Sequence, residues 1–250
     1  GLFAAMKEIF LIGIGTGNPE HVTMAARRAI GQADLILIPR KGANKADLAD
    51  LRREICVDVL GEAGRVVEFD LPRRGESGAY LDEVNLWHDA IAGAWAAAAG
   101  RAQRVALLIW GDPSLYDSSL RIAGRLDPVP KITVIPGITA LQALTAAHAI
   151  AVNEIGAPFV VTTGRRLREA GFPAGVDTAA VMLDGECSFQ KLPADQFNIW
   201  WGGFLGMENE VLEAGPLAEA GPRILRRRAA ARATHGWIMD IYLLRRKPGN

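Results

Sequence analysis

The stretch Ile9-Phe10-Leu11-Ile12-Gly13-Ile14-Gly15-Thr16-Gly17-Asn18-Pro19 decides how the rest of the chain is read. Its opening residues are apolar on both alternating sets, as in a strand covered on both faces. Glycines then end the run and let the backbone turn sharply. Pro19 follows, with Asn18 placed as an N-cap, and opens a helix expected to reach about Gly31. Strand, glycine turn and helix make up the repeating unit of a parallel sheet. The pattern recurs through the first half. Strands are expected over 35–38 (stopped by Pro39), 65–69, 105–110 and 132–135, with helices over 46–53, 81–99 and 115–126. Continuous apolar strands alternating with helices predict a parallel sheet with both faces covered.

After Pro136-Gly137 the texture changes. A helix over 139–150 leads into strands at 159–163, 179–183, 197–204 and 210–217 with little helix between them. A helix over 217–233 and a last strand over 237–244 follow. Strands gathered between terminal helices predict an α+β domain with a mostly antiparallel sheet. The expected division is therefore 1–136, an N-terminal α/β domain forming one wall of a cleft, and 137–250, a C-terminal α+β domain.

Composition narrows the function. The 250 residues are 50% hydrophobic and 22% charged, which suits a folded chain with a sizeable core. Lys+Arg and Asp+Glu both number 28, and a nucleic-acid binder is expected to carry a basic excess instead. Two cysteines, Cys56 and Cys187, are too few for a disulfide framework or a four-thiolate zinc site. Both are expected as free core thiols in a reducing, cytoplasmic setting. The alanine-rich run 90–100 falls far short of the roughly 20 residues that span a bilayer. The first seven residues lack the basic region and cleavage pattern of a signal peptide. No metal site, membrane contact or nucleic-acid partner is expected.

Three of the five expected parallel strands end in glycine-containing turns, at Gly13-Ile14-Gly15-Thr16-Gly17, Gly111-Asp112-Pro113 and Pro136-Gly137-Ile138-Thr139. Ligands of open parallel sheets sit beyond the carboxyl ends of the strands, so these turns predict a binding cleft. The cleft is not built for a dinucleotide. The spacing G-x-G-x-x-G needs glycine where Asn18 stands, and the acidic residue expected after the second strand is replaced by Pro39-Arg40. No phosphate-binding G-x-x-x-x-G-K-[ST] loop occurs either.

The turns, read in order with Val22-Thr23, Ala33-Asp34-Leu35-Ile36, Gly111-Asp112-Pro113-Ser114-Leu115-Tyr116, Val134-Ile135-Pro136-Gly137-Ile138-Thr139-Ala140 and Ala180-Val181-Met182-Leu183, resemble the tetrapyrrole methylase family. The likeness covers nearly the whole chain. The first loop departs from the family's frequent G-x-G-P-G-D-P at Thr16 and Asn18. The resemblance implies methyl transfer from S-adenosylmethionine to a tetrapyrrole substrate by a homodimer. The stretches 182–187, Trp200-Trp201-Gly202, 214–219 and 235–246 are similar to those of the member that methylates carbon 1 of precorrin-5 and releases its acetyl group as acetate. Methylation at a different ring carbon of a precorrin is the alternative.

Carried over residue by residue, the resemblance sets Gly111 and Asp112 against the methionine part of the cofactor, with Tyr116 following one helical turn later in the same cofactor set. It also sets Thr139 and Ala140 against its amino acid or ribose, Met182 and Leu183 beside the adenine, and Gly206 and Gly236 in the same set. Deacetylation needs an activated water, which a base tuned near neutrality supplies. His21, beside the first loop, is one candidate, and Asp184 and Glu186 are the carboxylate candidates. A carboxylate of the substrate itself is a fourth possibility. Arginine forks suit a polycarboxylate, and Arg40 and Arg165 follow expected strand ends. His88 and His148 are expected to be satisfied histidines, and Arg226-Arg227-Arg228 a solvated helix face.

Overall fold

The computed structural model describes residues 5–40, 46–62, 64–73 and 80–249. The chain divides into two compact units, Gly1–Thr139 and Ala140–Asn250. The first unit runs β1 (Glu8–Gly13), α1 (Met24–Gln32), β2 (Leu35–Arg40), α2 (Ala46–Leu60), β3 (Val66–Asp70), α3 (Tyr80–Ala99), β4 (Arg104–Ile109), α4 (Ser119–Ala123) and β5 (Lys131–Ile135). Its five strands are all parallel, in the order β3-β2-β4-β1-β5. The uninterrupted apolar runs are explained by the two cores they serve. Phe10, Ile12 and Ile36 pack on one face with α1 and α2, while Ile9, Leu11 and Leu37 pack on the other with α3 and α4.

The second unit contains α5 (Ala140–His148), β6 (Val160–Thr163), α6 (Gly164–Ala170), β7 (Thr178–Met182), β8 (Phe197–Gly203), β9 (Val211–Pro216), α7 (Leu217–His235) and β10 (Asp240–Arg246). The sheet order is β6-β7-β10-β8-β9, with β6 and β7 parallel and every other pair antiparallel. One face of this sheet carries Val181, Trp201 and Tyr242 under α7, and the other carries Ala180, Ile241 and Leu243 under α5. Both the parallel first sheet and the mostly antiparallel second sheet agree with the sequence reading.

Several local expectations are corrected. The helix expected from Pro19 is a short 3-10 turn, Pro19–His21, with Asn18 accepting a bond from Glu20 N at 2.9 Å. Thr23 then caps a separate helix, α1, through Ala26 N at 3.0 Å. Pro39 does not stop β2, which runs on to Arg40. Ile36 N points to β3, where it bonds Arg65 O, so the odd positions face β4, and the β2–β4 ladder has already ended at Leu37. The missing N–H of Pro39 therefore removes no ladder bond. The helix expected over 115–126 shrinks to Ser119–Ala123, because Tyr116 sits in a left-handed conformation (φ 48°) that no helix admits. The short α6 was not expected. Thr163 starts it by accepting from Arg166 N at 3.3 Å.

Charged residues also depart from their expected places. Arg228 is not on a solvated face. It shares the buried side of α7 with Leu217, Ala220 and Ile224 and pairs with Asp240 at 2.9 Å. Trp201 Nε1 donates to the same carboxylate at 2.9 Å, so the buried pair is hydrogen-bonded on both sides. His88 is buried, and His148 Nε2 meets Trp201 O at 2.9 Å. Cys56 and Cys187 are free and buried. No helix among the described residues is long and apolar enough to cross a membrane.

Two glycine substitutions should move stability in opposite directions. A Cβ on Gly137 would fall onto the Gly111 carbonyl oxygen and within 2.8 Å of the Gly13 backbone, none of which can rotate away. Gly137→Ala should cost about 3 kcal/mol, the upper part of the overpacking range. Gly93, exposed in the interior of α3, has nothing within 4 Å of a built Cβ. Gly93→Ala should stabilise by about 0.5–1 kcal/mol through helix propensity. Denaturant midpoints of the two variants against the parent check both signs.

Candidate functional site

In the first unit the three glycine turns converge, through backbone rather than side chains. Ile14 N donates to Ile109 O at 2.9 Å, and Gly111 N donates to Gly15 O at 2.8 Å, so the turns after β1 and β4 form a short antiparallel bridge. Gly15 (φ 75°) and Gly111 (φ 64°) both adopt the left-handed conformation that this bridge requires. A Cβ on Gly13 would lie 2.6 Å from Gly137 N and 2.8 Å from Gly111 O. Three strand ends thus touch where no side chain fits.

Asp112 locks this junction. Its Oδ2 accepts from Gly137 N at 3.0 Å, and its Oδ1 accepts from Ser114 N at 2.8 Å and Ser114 Oγ at 2.6 Å. Burial opposes ionisation, but these hydrogen bonds outweigh it and hold the carboxyl below the usual range. Asp112 therefore ties the β4 turn to the β5 turn as a carboxylate. Tyr116 stands 44% exposed just beyond it, and Thr139 closes the unit.

His21 belongs to the same junction. Its Cβ lies 3.3 Å from the point a Gly15 Cβ would occupy. Its Nε2 is 3.4 Å from Asn18 Nδ2, and because an amide nitrogen only donates, this long contact uses Nε2 as the acceptor and puts the ring proton on Nδ1. Its Nδ1 is buried with no partner among the described residues, and so is Thr16 Oγ1. Such atoms cost about 1–3 kcal/mol each when nothing meets them, which marks them as places for a ligand. The backbone cradle and these two orphaned atoms fit a small polar ligand at the carboxyl edge of the first sheet.

In the second unit, β7 and β8 run the same way, both antiparallel to the β10 between them. Their carboxyl ends bring Met182 and Leu183, the 203–206 turn and the 236–240 segment to one sheet edge. Met182 pairs with Thr163 inside the sheet. Leu183 follows it at φ 53° and 66% exposed, a strained and apolar position for a surface residue. Ala140 opens α5. Gly206 (φ 80°) has its N–H on Glu210 Oε2 at 2.9 Å. Gly236 (φ 77°) is the C-cap of α7, its N–H on Arg232 O at 2.8 Å.

The carboxylate and arginine candidates are engaged within the protein. Asp184 is buried and accepts from Tyr242 Oη at 2.5 Å, Ser188 N and Oγ at 2.7 Å each, Glu186 N at 3.2 Å and Arg168 Nη1 at 3.3 Å. Burial disfavours its charge, yet the donors prevail and lower its pKa. Glu186 pairs with Arg168 at 3.0 Å, Arg40 with Asp70 at 3.2 Å, and Arg165 with Glu169 at 3.1 Å. The Arg40 and Arg165 pairs are exposed on both sides, and such pairs bind weakly and can exchange partners. The sequence reading passed over Tyr242, Ser114 and Arg52. Arg52 left a usable signal, since it sits four residues after Leu48 and three before Ile55, on the apolar stripe of α2.

The chain belongs to the tetrapyrrole (corrin/porphyrin) methylases, whose family model matches residues 8–221. It is 48% identical over 253 residues to the precorrin-6A synthase [deacetylating] of a Sinorhizobium species, covering 97% of each chain. It is 34% identical over 137 residues to the precorrin-2 C(20)-methyltransferase of a Sinorhizobium species, covering 50% of this chain and 54% of the relative. Among solved structures it resembles a cobalamin-synthesis-related protein (CobF) of Corynebacterium diphtheriae, with a TM-score of 0.81 and 38% identity over 96% of this chain and 99% of that one. The uroporphyrin-III C-methyltransferase of Thermus thermophilus, solved in complex with S-adenosyl homocysteine, shares the fold at a TM-score of 0.57 and 19% identity, covering 95% of this chain and 96% of that one. The chain is thus a methyltransferase of this family.

The Asp184 cluster makes a prediction for acid stability. Its folded carboxyl holds a proton less readily than in the unfolded chain, where the ordinary value is 3.8. The stability this contributes is complete above that value and is lost as pH falls through the lower folded value. Tyr242→Phe removes the closest donor and should cost about 1–3 kcal/mol at neutral pH. The gap between variant and parent should narrow as pH drops below about 4. Denaturation curves at stepped pH test this, and a gap that widens with acid would contradict the assigned direction.

Proposed function

We propose that this chain converts precorrin-5 to precorrin-6A, methylating carbon 1 with a methyl group from S-adenosylmethionine and releasing the acetyl group as acetate. The observation that carries the reading is the 48% identity, end to end, with the relative named for that reaction. The half-length likeness to a C(20)-methyltransferase keeps a different ring carbon as the alternative. We assign the working form to a cytoplasmic homodimer.

When bound, S-adenosylmethionine supplies an electrophilic methyl group. The residues at the carboxyl edge of the first sheet suit a polar ligand of this kind. Gly111 offers close backbone approach, and Asp112 holds that turn against Gly137. Asp112 keeps its charge in this setting, which suits a site for a cationic donor. Tyr116, Thr139 and Ala140 lie on or just after the same turns. Met182 and Leu183 give an apolar edge for an adenine, and the exposure of Leu183 supports that role. Gly206 and Gly236 extend this edge. Methyl transfer needs the attacking carbon and the methyl group held in line, so positioning supplies much of the rate.

Deacetylation consumes one water, whose oxygen leaves in the acetate. His21 is favoured as the group that takes the water's proton, because it sits beside the Gly15 turn and its Nε2, whose Asn18 contact is long, is the ring nitrogen that carries a lone pair. Asp184 already accepts five hydrogen bonds, and Glu186 is paired with Arg168. Arg40 and Arg165 stand ready to exchange their exposed partners for substrate carboxylates.

Calorimetry and one single-turnover experiment test these roles. The parent should bind S-adenosylhomocysteine without a tetrapyrrole, and Gly111→Val should abolish that binding in a folded protein. With precorrin-5, acetate and S-adenosylhomocysteine should appear in equal amounts. His21→Ala should slow acetate release by about 10²–10⁴-fold, the span of a general base, and leave cofactor affinity intact. Normal acetate release from His21→Ala, with a defect in Asp184→Asn or Glu186→Gln, would move the base to that carboxylate. Normal release from all three would assign it to the substrate. Methylated product without acetate would favour the other ring carbons.

A further inference from the structure

Within the first unit, a second feature lies at the carboxyl ends of β2 and β4. A cavity of about 270 Å³ opens there between α2, α3 and the 116–119 turn. Its walls are about evenly polar and apolar, with Trp87, Trp95 and Trp110 among them. The walls carry two charges of opposite sign, Arg52 and Asp117. The Arg52 Nε donates to the Leu108 carbonyl at 3.0 Å, and its guanidinium carbon lies 5.5 Å from the centre of the Trp110 ring. Among the described residues no carboxylate is bonded to it. Burial lowers its pKa to about 10, and the attraction of Asp117 acts in the opposite direction. Asp117 itself accepts from Ser119 N at 2.7 Å. A second donor in the same wall, Trp110 Nε1–H, is buried with no acceptor among the described residues.

Arg52 is a half-buried cation whose neighbouring carboxylate, Asp117, attracts it without bonding to it, so its remaining donors are left over. Here it stands at the sheet edge where ligands of open parallel sheets bind. The fork of Nη groups left by the Leu108 bond matches a carboxylate. Size limits what that carboxylate belongs to. Whole drug-sized ligands occupy about 300–1,000 Å³, so this cavity is too small for a macrocycle but has room for one arm of it.

We infer that this cavity is a subsite for a single carboxylate-bearing arm of the tetrapyrrole substrate, with Arg52 as the pairing cation and Trp110 Nε1–H as an added donor. The inference rests on the substrate class given above. It makes Arg52 a specificity-determining residue, since it fixes which arm can enter and so which ring faces the methyl donor. It also separates Arg52 from Arg40 and Arg165, whose exposed pairs are held in water.

The test uses the whole chain, labelled with ¹⁵N at tryptophan, with Trp110→Phe to assign the Trp110 indole resonance. Sodium propanoate should shift that resonance saturably in the parent and not in Arg52→Gln. With precorrin-5, Arg52→Gln should raise KM for the tetrapyrrole about ten- to a hundredfold, while S-adenosylhomocysteine affinity changes less than about twofold. Arg52→Lys keeps the charge but loses the fork, so it should show a smaller loss. It also replaces Arg52→Gln as the reporter if the latter fails to fold. No propanoate shift in the parent, or an unchanged KM in both variants, would overturn the assignment. Acetate binding more tightly than propanoate, with slowed product release and unaltered tetrapyrrole affinity in Arg52→Gln, would give the cavity to the freed acid instead of the substrate arm. The propanoate arm needs no turnover. A parent that binds propanoate at Trp110 but leaves precorrin-5 unchanged would therefore reject the proposed reaction separately from the anion site.

Discussion

The first unit depends on the contact of three glycine backbones, Gly13, Gly111 and Gly137. Parallel strands in this sheet are about 4.8 Å apart, and the turns leaving them would ordinarily be separated by side chains. Here the Gly15–Gly111 bridge and the Gly13–Gly137 contact draw the ends of β4, β1 and β5 into one junction. β4 and β1 are also where the strand order reverses, because the chain leaves β1 toward β2 and leaves β4 toward β5. A switch point of this kind leaves a crevice by topology alone. The glycines line it with backbone, and Asp112 places a fixed negative charge beside it.

Carboxylates at the carboxyl ends of strands do two kinds of work in this chain. Asp112 and Asp184 both follow an inner strand, both are held ionised by several donors, and both fasten one segment to another. They differ in what surrounds them. Asp184 is sealed beneath α6, where a Cβ on Gly164 would collide with it, so its five donors leave nothing for a ligand. Asp112 is only half-buried, and its donors come from two turns that also form the crevice wall. The same residue type after the same kind of strand thus serves packing in one unit and the candidate site in the other.

Much of this was legible in the sequence because burial on both faces leaves a plain mark. Phe10, Leu11 and Ile12 read as a parallel strand since neither face of β1 meets water. The glycine turns were legible because their spacing departs from dinucleotide and phosphate loops while keeping the strand-turn-helix form. What periodicity missed was decided by single dihedral angles and long-range partners. The apolar pattern over 115–126 is helical, but Tyr116 at positive φ delays the helix to Ser119. Three consecutive arginines look solvated until Asp240, 12 residues beyond Arg228, is seen to meet the middle of a buried helix face. Pro39 looks like a strand end until the ladder on its N–H side is known to have stopped.

Arg52 shows why the remaining part of the site was hard to read. An arginine on an apolar stripe is normally drawn out to solvent by its long stem, so its place between Leu48 and Ile55 marks it without saying what holds it. It is kept inside because Leu108, on the central strand, presents a backbone carbonyl that accepts its Nε, and because the Trp110 ring lies beside its guanidinium. Both partners come from the end of β4, the strand whose turn also carries Gly111 and Asp112. β4 therefore connects two charges of opposite sign, the Asp112 carboxylate on one side of its carboxyl end and the Arg52 guanidinium on the other. A sulfonium donor and a carboxylate-bearing acceptor need such a separation if each is to find its own place along one strand end. The span between Leu108 and Asp112 is four residues, so a substitution that shifts the register of β4 would displace both subsites together.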